Sequence, residues 1–162
     1  MQIPASPFAA PTQRTDWHET LPWLCLGLLA GISFVVQPAK FLTPGLTREQ
    51  LVSVGSTLFH VSHALQLFLV LFCAALLPQR THQPALAWAC VAILGAALTT
   101  QMLVLMPALD ARLDLLRASR DPGPGMQHPI YVALEFLKMG ALIVLGRQAR
   151  RAMPTTTPGG SL

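Results

Sequence analysis

Apolar residues run in four blocks, 21–41, 51–77, 85–109 and 129–146, separated by short segments that hold most of the charge. Each block is close to the ~20 residues a helix needs to cross ~30 Å of hydrocarbon. Stretches such as "LQLFLVLFCAALL" and "ALIVLG" offer no polar side to water, whereas an amphipathic surface helix carries one. The pattern predicts an all-α protein, an integral membrane four-helix bundle with no soluble domain. Residues 1–20 and 150–162 read as disordered tails, rich in Pro, Ser, Thr and Gly, around a transmembrane domain at 21–149. Arg14, Asp16, His18 and Glu19 precede the first block without a basic start or short apolar core, so that block reads as a retained anchor rather than a cleaved signal peptide.

The connections have their own punctuation. In "FLTPGLTREQL" a Pro-Gly turn is followed by Thr47 with Gln50 three residues on, a capping-box arrangement that starts the second helix. The third block continues past Leu109 as an amphipathic extension, with Leu109, Leu113 and Leu116 on one side and charges on the other, until "DPGPG" ends it. "GLLAG", with Gly27 and Gly31, and the pair Gly95 and Thr99 have the small-xxx-small spacing that lets helices approach closely in lipid.

Composition agrees with this partition. Of the 162 residues, 52% are hydrophobic and 11% charged, against about 25% charged in a soluble domain; the mean hydropathy is +0.51. The net charge of +4 comes mainly from arginines in the connections and reads as lipid contact and topology, not as a nucleic-acid surface. If the N-terminus lies on face A, that face holds Arg14, Arg80, Arg147, Arg150 and Arg151, and face B holds Lys40, Arg48, Arg112, Arg117 and Arg120. The tally is even and sets no orientation. Cys25, Cys73 and Cys90 all fall inside apolar blocks, as buried small side chains do, rather than as a disulfide framework.

The candidate chemistry lies in the polar residues within the blocks. At ~100° per residue, Ser53, Ser56, His60 and His63 fall within about 80° of arc, Ser33, Gln37 and Lys40 within about 60°, and Tyr131, Glu135 and Lys138 within a similar arc. Counted at ~1.5 Å per residue from face B, Gln37, Glu135, Gln101, Lys138, His60 and His63 lie between about 6 and 18 Å deep. Charges in hydrocarbon turn inward and find partners, so His60, His63, Glu135, Lys138, Gln37 and Gln101 are expected to line one intramembrane polar pocket. Three readings of it stay open: interhelical glue around a Glu135/Lys138 pair, a pocket for a solute, proton or lipid or quinone head group, and a metal or haem site.

Two histidines three apart on one helix cannot ligate both sides of a porphyrin, and His18, His82 and His128 lie at block ends or outside. A metal set of His60, His63 and Glu135 would have Lys138 as a competing cation, with no Cys or Asp in the layer to complete it. No cofactor or metal is therefore assigned. The chain contains no HExxH, P-loop, nucleophile elbow or Gly-rich dinucleotide turn, and it reads as a non-enzyme.

One family resemblance adds to this. In "GISFVVQPAKFLTPGLTREQLVSVGSTLFH", Phe34, Val35, Pro38, Phe41, Gly55, Leu58 and Phe59 occupy the places of a first-hairpin pattern, and "VLMPALDARLDLLRA" places Pro107, Arg112 and Arg117 at the end of a third helix. The chain in this respect resembles the transmembrane protein 205-like family of small four-span proteins. That resemblance implies an architecture and a membrane location, and no functional residue. The sequence thus predicts an accessory or structural protein of a bacterial inner membrane, whose partners are the lipid bilayer and a homo-oligomer or larger membrane complex. The alternative is a small carrier or binder working through the polar pocket.

Overall fold

The computed structural model describes residues 17–76 and 83–151. Among the described residues four helices are long and apolar enough to cross a membrane: Thr20–Leu42, Arg48–Leu76, Pro84–Arg117 and Gln127–Arg151. The protein is an all-α, multi-pass membrane protein. Helix begins at Trp17 and the last helix ends at Arg151, a few residues beyond the 21–149 expected from the apolar blocks. The remainder of the expected tails, together with Arg14, Arg80 and His82, lies outside the described residues.

The chain runs up, down, up and down. Each span packs on the next in sequence, and the fourth closes the ring against the first. The first span is built from α1 (Trp17–Ala30), a π-helical turn at Gly31–Val36, α2 (Gln37–Ala39) and a 3-10 turn at Lys40–Leu42. The second is α3 (Arg48–Leu76). The third is α4 (Pro84–Thr100), a second π turn at Gln101–Leu105, and α5 (Met106–Arg117). The fourth is α6 (Gln127–Arg151).

Both π turns have the same cause. Pro38 and Pro107 each follow one by two residues. A proline in a helix lacks the N–H and its ring presses on the carbonyl four residues back, here that of Phe34 or Leu103. Widening the preceding turn moves that carbonyl aside without ending the helix.

The turns at face B follow the sequence signals. The Thr47 N–H donates to Gln50 Oε1 at 2.9 Å and the Gln50 N–H to Thr47 Oγ1 at 3.3 Å, a closed capping box. Ser119, at φ 56°, ends α5 with the Ser119 N–H on the Leu116 carbonyl and the Arg120 N–H on that of Leu115, the two bonds of a Schellman cap.

The core is layered along the bundle axis. Toward face A it is apolar, with Leu29, Cys73, Leu94, Leu142 and Leu145 among its members. The glycine contacts differ from the expected ones. A Cβ at Gly27, Gly31 or Gly95 would meet nothing within 4 Å, so these small-xxx-small positions face open space instead of a neighbouring helix. A close approach to a ring is made by Gly146, where a Cβ would lie 2.6 Å from the Trp23 ring of the first span.

Candidate functional site

Past the apolar layer, side chains from all four spans converge on Lys138 and Glu135, each only 2% exposed. The Lys138 ammonium donates to Gln66 Oε1 of span two at 2.5 Å, to Gln101 Oε1 of span three at 2.6 Å and to Glu135 Oε1 at 2.9 Å. Three protons meet three acceptors, so the ammonium is fully bonded. Glu135 Oε1 also accepts from Gln101 Nε2 at 3.0 Å, and its Oε2 accepts from the Ser33 hydroxyl of span one at 3.3 Å. Gln101 Nε2 reaches the Tyr131 carbonyl as well, at 3.3 Å, and Gln66 Nε2 donates to Ser62 Oγ at 2.7 Å.

The local sequence explains this convergence. Glu135 and Lys138 are i, i+3 on α6, and such residues share a helix face. Gln101 sits at the first position of the π turn, fully buried. Burying an ion pair is costly unless the remaining donors and acceptors are also engaged; here the two glutamine amides and a serine hydroxyl supply those partners.

The other expected pocket residues are placed differently. His63 is buried and its Nε2 lies 3.1 Å from the Tyr131 hydroxyl. Its ring and that of Tyr131 pack with Phe59, the Phe59 and Tyr131 centroids being 4.6 Å apart. His63 thus adjoins the ion-pair layer through Tyr131 without bonding to the pair itself. Gln37 is buried but turned toward its own helix, accepting from Lys40 Nζ at 2.9 Å, and its Nε2 has no acceptor among the described residues. Both side chains rest over Gly55 of span two, where a Cβ would strike the Lys40 amine.

His60 is not part of the pocket. Its side chain is 58% exposed; Nδ1 bonds the Ser56 carbonyl at 2.9 Å and Nε2 lies 3.5 Å from Asp110 Oδ2. The polar stripe of span two is split in two by this arrangement. Ser53, Ser56 and His60 serve the extension of span three, through Arg117 Nη2 to Ser53 Oγ at 3.2 Å and Ser56 Oγ to Asp110 Oδ1 at 2.7 Å. His63 alone turns to span four. The 60° between His60 and His63 on an ideal helix is enough to give them different neighbours. The expectation that no Asp meets the histidines is corrected by the same contact, because the π turn and Pro107 continue span three as helix to Arg117 and bring Asp110 alongside Ser56. Among the described residues no group of three His, Cys, Asp or Glu side chains is placed to hold a metal ion.

Sequence reasoning passed over Gln66, Ser62 and Asp110. Gln66 is the one polar side chain in "ALQLFLVLF", and an isolated polar residue within an apolar run was the available signal for it.

A cavity of about 200 Å³ opens between spans one and four on the face B side of the ion pair, with Ser33, Phe34, Gln37, Tyr131, Val132 and Glu135 on its walls. The accessible lining is mostly apolar. Comparison with protein-family models, with curated proteins and with solved structures finds no match for the chain.

Proposed function

We propose that the chain is a non-catalytic accessory or scaffold protein of a bacterial-type inner membrane, working in a homo-oligomer or a larger membrane complex. It would belong among small four-span proteins of the kind its first hairpin resembles. One observation carries this reading: a single hydrogen-bonded network takes a side chain from every span, and all three Lys138 protons are matched within it. A network so arranged fixes the rotation and height of four helices relative to one another. It leaves Lys138 no free proton to offer a solute. A proton carrier would need one of these bonds to open at each cycle, at the cost of an unpaired charge in the bundle interior.

The test has two arms. In proteoliposomes containing a pH-sensitive dye, the protein is expected to give no proton flux above empty vesicles. Extracted from its own membrane in a mild detergent, it is expected to have a protein mass above that of one 17.5 kDa chain. A monomer with a flux that Glu135→Gln abolishes would establish the carrier reading instead.

A further inference from the structure

A second cavity, of about 310 Å³, lies at the face B end of the bundle, between the turn joining spans one and two and the extension of span three. Lys40, Arg48 and Arg112 stand on its walls, with Asp110 as the one carboxylate. Asp110 is already engaged, by Ser56 at 2.7 Å and His60 at 3.5 Å. Among the described residues the three cations are not neutralised. Lys40 donates to the Gln37 amide oxygen, and Arg112 to the backbone carbonyls of Gly123 and Pro124. The Arg48 guanidinium bonds no group among the described residues. None of the three has a carboxylate within ion-pair distance there.

The floor of the same cavity is apolar, formed by Val52, Phe59, Met106, Leu109 and Leu113. It also shares Lys40, Phe41, Phe59 and His128 with the 200 Å³ cavity between spans one and four, so the two are neighbours across common walls. Gln37 lines that smaller chamber, and its buried amide nitrogen has no acceptor among the described residues. Cations at the level where the spans end, an apolar floor below them and one orphan amide donor nearby are the three parts that an anionic lipid complements. Its phosphate would meet the basic side chains, its acyl chain the phenylalanines, and an ester carbonyl the Gln37 amide.

We infer that this cleft is a binding site for one anionic phospholipid, with Lys40, Arg48 and Arg112 holding the phosphate and Phe41 and Phe59 guiding an acyl chain toward the span-one/span-four cavity. A free phosphate would leave the apolar floor unused. A zwitterionic lipid would bring its ammonium group among three cations.

Native mass spectrometry of the full chain in detergent, titrated with phosphatidylglycerol or phosphatidylcholine, tests the assignment. One phosphatidylglycerol is expected to stay bound at least tenfold more tightly than phosphatidylcholine. Lys40→Gln with Arg48→Gln should weaken phosphatidylglycerol roughly twenty-five-fold, at about fivefold for each basic side chain near a phosphate. Gly55→Leu keeps every charge and fills the cleft under Lys40, and should weaken it as well. If the double variant does not fold, Arg48→Gln alone carries the test, because that guanidinium makes no hydrogen bond or ion pair among the described residues. Arg147→Gln with Arg151→Gln, at the opposite end of the bundle, should change nothing. Equal retention of the two lipids, an equal loss in the Arg147/Arg151 variant, or displacement of phosphatidylglycerol by millimolar inorganic phosphate would each overturn the proposal.

Discussion

The Lys138 ammonium and the Gln66 amide oxygen, 72 positions apart in the chain, are joined by a 2.5 Å hydrogen bond across the fourth and second spans. With the Gln101 and Glu135 bonds at 2.6 and 2.9 Å it closes the coordination of a cation that is 2% exposed. Removing one member of such a group is therefore expected to cost far more than removing the charge altogether. Lys138→Met or Glu135→Gln alone leaves a buried partner uncompensated and should destabilise the folded bundle by about 3–5 kcal/mol. The combined variant should recover a large part of that loss. Reversible unfolding in mixed micelles, read by circular dichroism, gives the three values; a double variant as unstable as the sum of the singles would refute the coupling.

Gly146 and Trp23 make a close interhelical approach, with a rigid ring as the neighbour. A Cβ on residue 146 would sit 2.6–2.9 Å from indole atoms, and that ring also lies under the Arg150 guanidinium at 5.1 Å. Gly146→Ala should force the ring to move and destabilise by about 1–3 kcal/mol, as overpacking does, with a shift in tryptophan emission. Gly27→Ala is the control, since its Cβ would meet nothing within 4 Å and alanine is the better helix former by up to about 1 kcal/mol. It should be neutral or slightly stabilising.

How much of this could be read from the residues depended on what each one needed. Glu135, Lys138 and Gln101 were legible because a charge or an amide in hydrocarbon must turn inward, whatever the detail of the packing. Gln66 was not, because it lies apart from the stripe that Ser56, His60 and His63 define, and only the approach of span four gives it a role. His60 was misplaced for a related reason. An angle counted along one helix says which residues share a face, but not how the neighbouring helices are rotated against it. The π turns before Pro38 and Pro107 add to this, since each inserts extra backbone into its turn, the first breaking the 100° count between Ser33 and Gln37 and the second that between Gln101 and Asp110. The apolar blocks survived such errors because spanning length tolerates them.

Cys25 and Cys73 place their sulfurs 3.9 Å apart, buried between spans one and two, and both are free thiols. A small rotation about each side chain would bring them to bonding distance, ~2.05 Å. Treating membranes with copper phenanthroline is expected to join the two spans covalently, so that fragments cut between them stay together until reduced. Cys73→Ser should abolish the link, and Cys90→Ser should not. Failure to cross-link under conditions that oxidise an introduced control pair would contradict the packing of these spans.

His60 and His63 give the sharpest contrast, being the same residue type three positions apart on one helix. His60 is exposed, and its contacts are a backbone carbonyl and a 3.5 Å pairing with the half-exposed Asp110. Exposed pairs of this kind contribute about 0–1 kcal/mol, so His60→Ala should change stability by no more than about 1 kcal/mol. His63 is 2% exposed, bonded to the Tyr131 hydroxyl at 3.1 Å and packed with Phe59. His63→Ala removes a buried ring and strands a buried hydroxyl, and should cost about 2–5 kcal/mol. Tyr131→Phe strands the histidine nitrogen instead, at about 1–3 kcal/mol. Combining Tyr131→Phe with His63→Ala removes both polar partners and should cost less than the two single changes summed. Equilibrium unfolding of the four variants decides the matter: equal losses at residues 60 and 63 would mean that the two histidines share one environment, against the separation that Asp110 and Tyr131 impose.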